Sequence, residues 1–224
     1  MELISSAENS TLDWKSQFGY IQDIGDGRGY TAGIIGFCSA TGDMLDVVKS
    51  FSAAEPGNLL AKYIPALTSL AASGSDAHTG LDGLVTDWKS SSDDPKFQAA
   101  QESIRDSEYF NPALTQAKAD GLHILGQFAY FDALVMHGPG EDASSFGGIR
   151  ASALKLARTP AAGGSEVSYL RAFFAARKSV MVQEDAHSDT SRIDSMQLVF
   201  LNLGNTNLTP PLAWSVYGDH YSIN

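Results

Sequence analysis

Apolar residues recur every three or four positions through most of this chain and alternate only briefly, which predicts a mainly helical protein with one small sheet. Leu3, Ile4 and Ala7 form a short stripe that ends at Glu8. Leu12, Trp14, Phe18 and Ile21 supply the apolar side of a second helix, with Ser10 as its cap and Asp13 placed to return the bond. The stretch 30–37 alternates or runs apolar like a short strand, so the sheet is expected near 24–37. Met44, Leu45, Val47, Val48 and Phe51 return to helical spacing, as do Leu59, Leu60, Tyr63, Ile64, Leu67 and Leu70, a helix that Pro65 should kink or divide. Leu81, Leu84, Val85 and Trp88 make a further stripe. The run 90–95, SSSDDP, reads as a loop whose proline opens the helix of Phe97, Ile104 and Phe110. Pro112 then opens a long helix through Leu114, Ala117, Leu122, Leu125, Phe128, Ala129 and Met136. Helical patterns also cover 146–157, 167–181 and 193–203, and the tail is aromatic-rich and turn-prone.

Two charges interrupt these stripes. Asp132 continues the line Leu125, Phe128, Ala129, and Arg177 continues Leu170, Phe173, Phe174. An uncompensated buried charge costs several kcal/mol, so each needs a partner and each is the obvious candidate for the other. Arg192, ahead of Ile193, Met196 and Phe200, joins them on the same reading. Separate, partly exposed residues at stripe edges remain the alternative.

Composition narrows the class. The 224 residues suit one domain, 1–224, that buries a sizeable core without oligomerising. With 15 basic and 26 acidic residues the net charge is -11, which disfavours a nucleic-acid partner and suits a polycation. The single cysteine, Cys38, excludes an internal disulfide and reads as a buried structural thiol. His123, His137, His187 and His220 are scattered without a zinc motif, so no metal and no cofactor is expected. No stretch is long and apolar enough to cross a membrane. No secretory leader precedes Glu8 either, which suggests the trimmed form of a secreted protein.

Chemistry concentrates in 7–43. Glu8, at the end of its stripe, can project beyond the packed face, and Asp26 stands among Gly25, Gly27 and Gly29, where the backbone can approach a ligand closely. Two carboxylates on separate elements meet the needs of glycoside cleavage, one protonated to supply the leaving oxygen and one ionised to activate water or attack. The motifs Ala7-Glu8-Asn9-Ser10 and Asp23-Ile24-Gly25-Asp26-Gly27-Arg28-Gly29-Tyr30-Thr31 together resemble the N-terminal signature of the glycoside hydrolase family 46 chitosanases. Similarity continues through GIIGFCSATGDM at 33–44 and, more loosely, over nearly the whole chain.

The resemblance implies a lysozyme-like, mainly α (α+β) fold in which two helical lobes flank a cleft beside a small antiparallel sheet, the smaller lobe covering roughly 24–90. It implies an endo-acting enzyme that cleaves β-1,4 linkages of chitosan with inversion, its carboxyl groups roughly 6.5 to 9.5 Å apart. Glu8 matches the general acid, Asp26 the general base and Thr31 the residue that helps hold the water. Asp132, Arg177 and Arg192 match a network that reaches the acid. Asp43 matches a substrate contact, while its position before Met44 equally suits a helix cap. Ser10, Tyr20, Arg28, His137 and Glu184 match positions lining the cleft. The implied partners are chitosan and glucosamine oligosaccharides, met by a secreted monomer that engages neither nucleic acid nor membrane.

Two other readings stay open on the residues: a related lysozyme-like hydrolase or lytic enzyme on a neutral or peptidoglycan polymer, and a carbohydrate-binding protein without catalysis. The acidic balance and Asp43 weigh against the first, and intact Glu8, Asp26 and Thr31 against the second. Trp14, Trp88 and Trp214 are possible sugar platforms, although helical spacing favours core packing for the first two.

Overall fold

Glycines and prolines, more than the apolar stripes, decide where the helices start and stop. The computed structural model describes residues 1–183 and 188–224. These divide into two compact units, Met1–Asp106 and Ser107–Asn224. The expected smaller lobe, 24–90, falls inside the first unit, which also takes in the N-terminal helix.

In the first unit α1 (Glu2–Glu8) buries Ile4, Ser5, Ser6 and Ala7. The helix expected from Ser10 is instead a 3-10 helix, Trp14–Gly19, capped by Asp13 through a bond from Ser16 N. Ser10 has φ 51°, outside the extended backbone that an N-cap adopts. Ile21 leaves this helix for β1 (Ile21–Asp23), which pairs antiparallel with β2 (Tyr30–Ala32), and β2 pairs with β3 (Phe37–Cys38). The apolar run 30–37 is thus two strands rather than one. It is broken at Gly33, which has φ 74° and whose missing Cβ would meet Gln101 Oε1 at 2.3 Å.

Four helices follow the sheet in this unit: α2 (Asp43–Ala54), α3 (Ile64–Ser73), α4 (Leu84–Ser91) and α5 (Pro95–Ile104). Pro65 divides this stripe and does not kink a helix: a 3-10 turn, Ala61–Tyr63, precedes α3, and Pro65 lies in the first turn of α3, where its missing N–H costs nothing. Phe51, Trp88 and Phe97 form the aromatic centre, with ring centroids 5.1 and 4.8 Å apart about Phe97. Trp88 is fully buried, as its spacing predicts. Its indole Nε1 donates to Phe18 O at 3.0 Å, and Gln101 Nε2 donates to the same carbonyl at 2.9 Å. Two helices thereby grip the segment that leads into β1.

A π-helical stretch, Arg105–Phe110, carries the chain into the second unit. There the long helix expected from Pro112 to Met136 is two, α6 (Asn111–Ala119) and α7 (Ile124–His137). Gly121, at φ 77°, turns the chain between them. Asp120 next to it is held by Arg150 Nε at 2.8 Å and Tyr130 Oη at 2.6 Å, bonds that a continuous helix would forgo. Then come α8 (Phe146–Leu154), α9 (Glu166–Met181), a π-helical turn Arg192–Gln197 and α10 (Leu198–Asn202). The tail, read as aromatic-rich and turn-prone with no sheet expected there, is a second antiparallel sheet made of β4 (Leu212–Val216) and β5 (Asp219–Ile223). In β4, buried Leu212, Trp214 and Val216 alternate with more exposed residues, a period-two signal hidden by its brevity.

Candidate active site

Glu8 is the last residue of α1, and the burial of Ile4 and Ala7 fixes the rotation of the helix that presents it. It is half-buried, and Ser10 just beyond it is exposed. Asp26 stands in the loop between β1 and β2. Asp23 Oδ1 starts that loop by accepting from Gly25 N at 2.8 Å, and Gly25 and Gly27 then run at φ 72° and 81°. Although the loop is largely exposed, the Asp26 side chain is only 6% exposed. Its Oδ1 accepts from Arg28 N at 3.0 Å; its Oδ2 accepts from Arg28 Nε at 2.8 Å and lies 2.6 Å from Nη2. Such a charge-assisted pair favours the ionised carboxylate.

Arg28 reports on its surroundings in turn. Burial works against its charge, yet Cys38, the hydrogen bond and charge of Asp26, and the charge of Glu8 carry its pKa above the ordinary guanidinium value. Both carboxylates therefore act on one guanidinium. Thr31 is buried in β2, its Oγ1 3.5 Å from Cys38 Sγ. Tyr20 is half-buried, and burial raises its pKa.

Asp43 is 7% exposed, and it is the first residue of α2 rather than its cap, which is Gly42. Its Oδ1 accepts from Cys38 N at 2.8 Å, Thr41 Oγ1 at 2.6 Å and Met44 N at 3.0 Å. The side chain thus ties β3 to the start of α2, a structural duty that its place in sequence did not reveal.

In the second unit Asp132 and Arg177 are both fully buried, on α7 and α9. Arg177 Nη1 donates to Asp132 Oδ2 at 2.5 Å, and Gln197 Nε2 donates to the same oxygen at 2.7 Å. Arg192 Nη1 reaches Oδ1 at 3.3 Å. Burial pushes the Asp132 carboxyl up, but the charges of Arg177 and Arg192 and the hydrogen bonds from Arg177 and Gln197 outweigh it and hold its pKa below the usual carboxylate value. His137, half-buried at the end of α7, accepts from Arg177 Nε at 3.2 Å through Nε2. Glu184 lies outside the described residues.

Sequence reasoning missed Gln101 and Gln197, both fully buried. The signal was present, since each is a polar residue beside apolar stripe positions, like Asp132. It also missed His78, whose ring stacks on Tyr30 at 4.1 Å and whose Nε2 lies 2.9 Å from Asp23 Oδ2. Among the described residues no group of three or more His, Cys, Asp or Glu side chains is arranged to hold a metal ion.

The sequence profile of glycosyl hydrolase family 46 matches residues 2–212. The chain belongs to glycosyl hydrolase family 46. Across the family it is similar to a chitosanase of Streptomyces sp. (strain N174), 62% identical over 225 residues that span all of this chain and 80% of that protein. A co-crystal structure of chitosanase OU01 with substrate matches with a TM-score of 0.96 at 55% identity, covering 100% of this chain and 94% of that one. The family 46 chitosanase of Gynuella sunshinyii, solved in complex with chitotetraose, matches with a TM-score of 0.93 at 36% identity over 100% and 95% of the two chains. The mainly helical, lysozyme-like fold with its small antiparallel sheet is therefore the family's. Most of the β4–β5 hairpin lies beyond the residues that the family 46 profile matches.

Proposed function

We propose that this chain is a secreted, monomeric, endo-acting chitosanase that hydrolyses β-1,4 linkages of chitosan with inversion at the anomeric carbon. The observation that carries the assignment of roles is the Asp26–Arg28 pair. A carboxylate held as an anion by a guanidinium and a backbone N–H is unsuited to supply a proton, and being ionised it is free to take one. Asp26 is thus the general base, and the general acid is Glu8, the second carboxylate whose charge Arg28 feels.

In the reaction, protonated Glu8 gives its proton to the glycosidic oxygen as the bond from that oxygen to the anomeric carbon breaks. A water on the opposite face of the sugar attacks that carbon and gives a proton to Asp26. Thr31 helps to hold this water. Asp26 ends protonated and Glu8 ionised, and exchange with solvent resets both. Arg28 orients the base at the cost of some basicity, since a guanidinium opposes the neutral carboxyl form. The net charge of -11 favours approach of a cationic polymer. Secretion fits a substrate too large to enter a cell, and among the described residues no helix is long and apolar enough to cross a membrane.

The test is Glu8→Gln and Asp26→Asn, assayed for reducing ends released from soluble chitosan, with the anomer of the first product read by NMR. Each variant should lose about 10² to 10⁴ in rate, with the thermal melt unchanged in Glu8→Gln and lowered in Asp26→Asn, which weakens the bonds from Arg28. A variant that keeps half the wild-type rate loses its assigned role. Activity on chitin or cell-wall material but not on chitosan would replace the substrate.

A further inference from the structure

Thr31 in β2 faces Cys38 in β3, its partner in the strand register. Two contacts fix the Thr31 side chain. A Cβ built on Gly36 would lie 3.2 Å from Thr31 Cγ2, so the methyl group turns towards that glycine, while Oγ1 turns to Cys38 Sγ at 3.5 Å. The one proton on sulfur is already committed, because Cys38 Sγ donates to Gly36 O at 3.2 Å. Burial pushes this thiol up to about 11, so the proton stays on sulfur at ordinary pH. A sulfur that donates its only proton to a carbonyl can meet a hydroxyl only as an acceptor.

With the sulfur proton on the Gly36 carbonyl, the Thr31 hydroxyl donates to sulfur, which leaves the lone pairs of Oγ1 as its accepting side. We propose that Cys38 is a positioning residue: its thiol fixes the rotation of the Thr31 hydroxyl so that Oγ1 accepts one proton of the hydrolytic water in a hydrogen bond while Asp26 removes the other. This rests on the role given to Thr31 above. Cys38 is itself anchored through its backbone, its N–H donating to Asp43 Oδ1 at 2.8 Å.

The experiment compares Cys38→Val, Cys38→Ser, Thr31→Val and the double Cys38→Val/Thr31→Val variant for kcat and KM on soluble chitosan, with thermal melts alongside. Valine fills the site without accepting a hydrogen bond, whereas serine can both donate and accept. Cys38→Val should lower kcat about three- to tenfold, the worth of one oriented hydrogen bond, with KM within about twofold of wild type. Cys38→Ser should restore kcat to within about twofold, and Cys38→Val should cost nothing further in the Thr31→Val background. If Cys38→Val melts too low to assay, Cys38→Ala replaces it with the same expectations. A slow Thr31→Val beside a Cys38→Val at full kcat overturns the inference and leaves the proposed function standing. So do a serine variant as slow as valine and effects that multiply in the double variant. A Thr31→Val variant at the wild-type rate removes Thr31 from the mechanism and Cys38 with it, while Glu8 and Asp26 keep their roles.

Discussion

Replacing Asp132 with alanine removes a carboxylate that Arg177, Arg192 and Gln197 all address. Arg177 is 0% exposed, so no solvent replaces the lost bond at 2.5 Å. Breaking a buried pair on one side costs about 3 to 5 kcal/mol, because the remaining charge keeps its desolvation penalty. In a protein of this length each kcal/mol moves the melting temperature by about 2 to 4 °C, so Asp132→Ala should melt about 6 to 20 °C below wild type. Arg177→Met should be similarly unstable, whereas the double variant, which removes both members of the pair together, should lie above the sum of the two losses by about 1 to 3 kcal/mol. Acid supplies a second axis. The folded-state pKa of Asp132 is lowered, so its contribution is fully present above the unfolded carboxylate value near pH 4 and is lost as pH falls through the folded value. The gap in melting temperature between wild type and Asp132→Ala should therefore narrow on acidification below about pH 4. Two single effects that simply add, or a gap that is the same in acid, would refute the reasoning.

Asp43→Asn keeps an oxygen to accept from Cys38 N, Thr41 Oγ1 and Met44 N, so its melt should stay near wild type; Asp43→Ala should lose roughly 1 to 3 kcal/mol because a buried N–H is left without an acceptor. If the charge of Asp43 also recognises amino sugars, Asp43→Asn should raise KM on chitosan at low salt, and added salt should shrink the difference. Gly33→Ala should cost roughly 2 to 4 kcal/mol, since it adds left-handed strain to an overlap with Gln101 Oε1; Gly25→Ala, at nearly the same φ but with nothing within 4 Å, should lose only the strain, about 1 kcal/mol. Equal melts for these two glycine variants would show that the crowding at Gly33 relaxes freely.

Periodicity made most helices legible, because a stripe such as Met44, Val47, Val48 and Phe51 has to be buried along one side. The pairing of Asp132 with Arg177 was legible for a related reason: charges on apolar stripes have few places to go. The breaks were harder to see. Nothing local separates α6 from α7 except Gly121, and what makes the break worthwhile is Arg150, 30 residues away from Asp120 in sequence. The helix expected from Ser10 gave way to β1 because Ile21 pairs with Ala32, a preference set by the partner strand and not by its neighbours. At the site, the motifs marked Glu8, Asp26 and Thr31, but not that Arg28 would take Asp26 with both Nε and Nη2, nor that Asp43 would spend its Oδ1 on the backbone. Such bonds depend on turns whose geometry only the folded chain defines.

The carbonyl of Phe18 accepts from both the indole of Trp88 and the amide of Gln101, and Gln101 Oε1 also accepts from Ile34 N at 3.2 Å. Oily contacts let one surface slide over another, but these bonds have direction and length, and they index the hairpin carrying Asp26 against α4 and α5 as a key indexes a shaft. Anyone grafting this hairpin into another scaffold must carry the indole and the amide with it. A host offering only aliphatic volume at those two positions would hold the strands and lose the aim of the carboxylate.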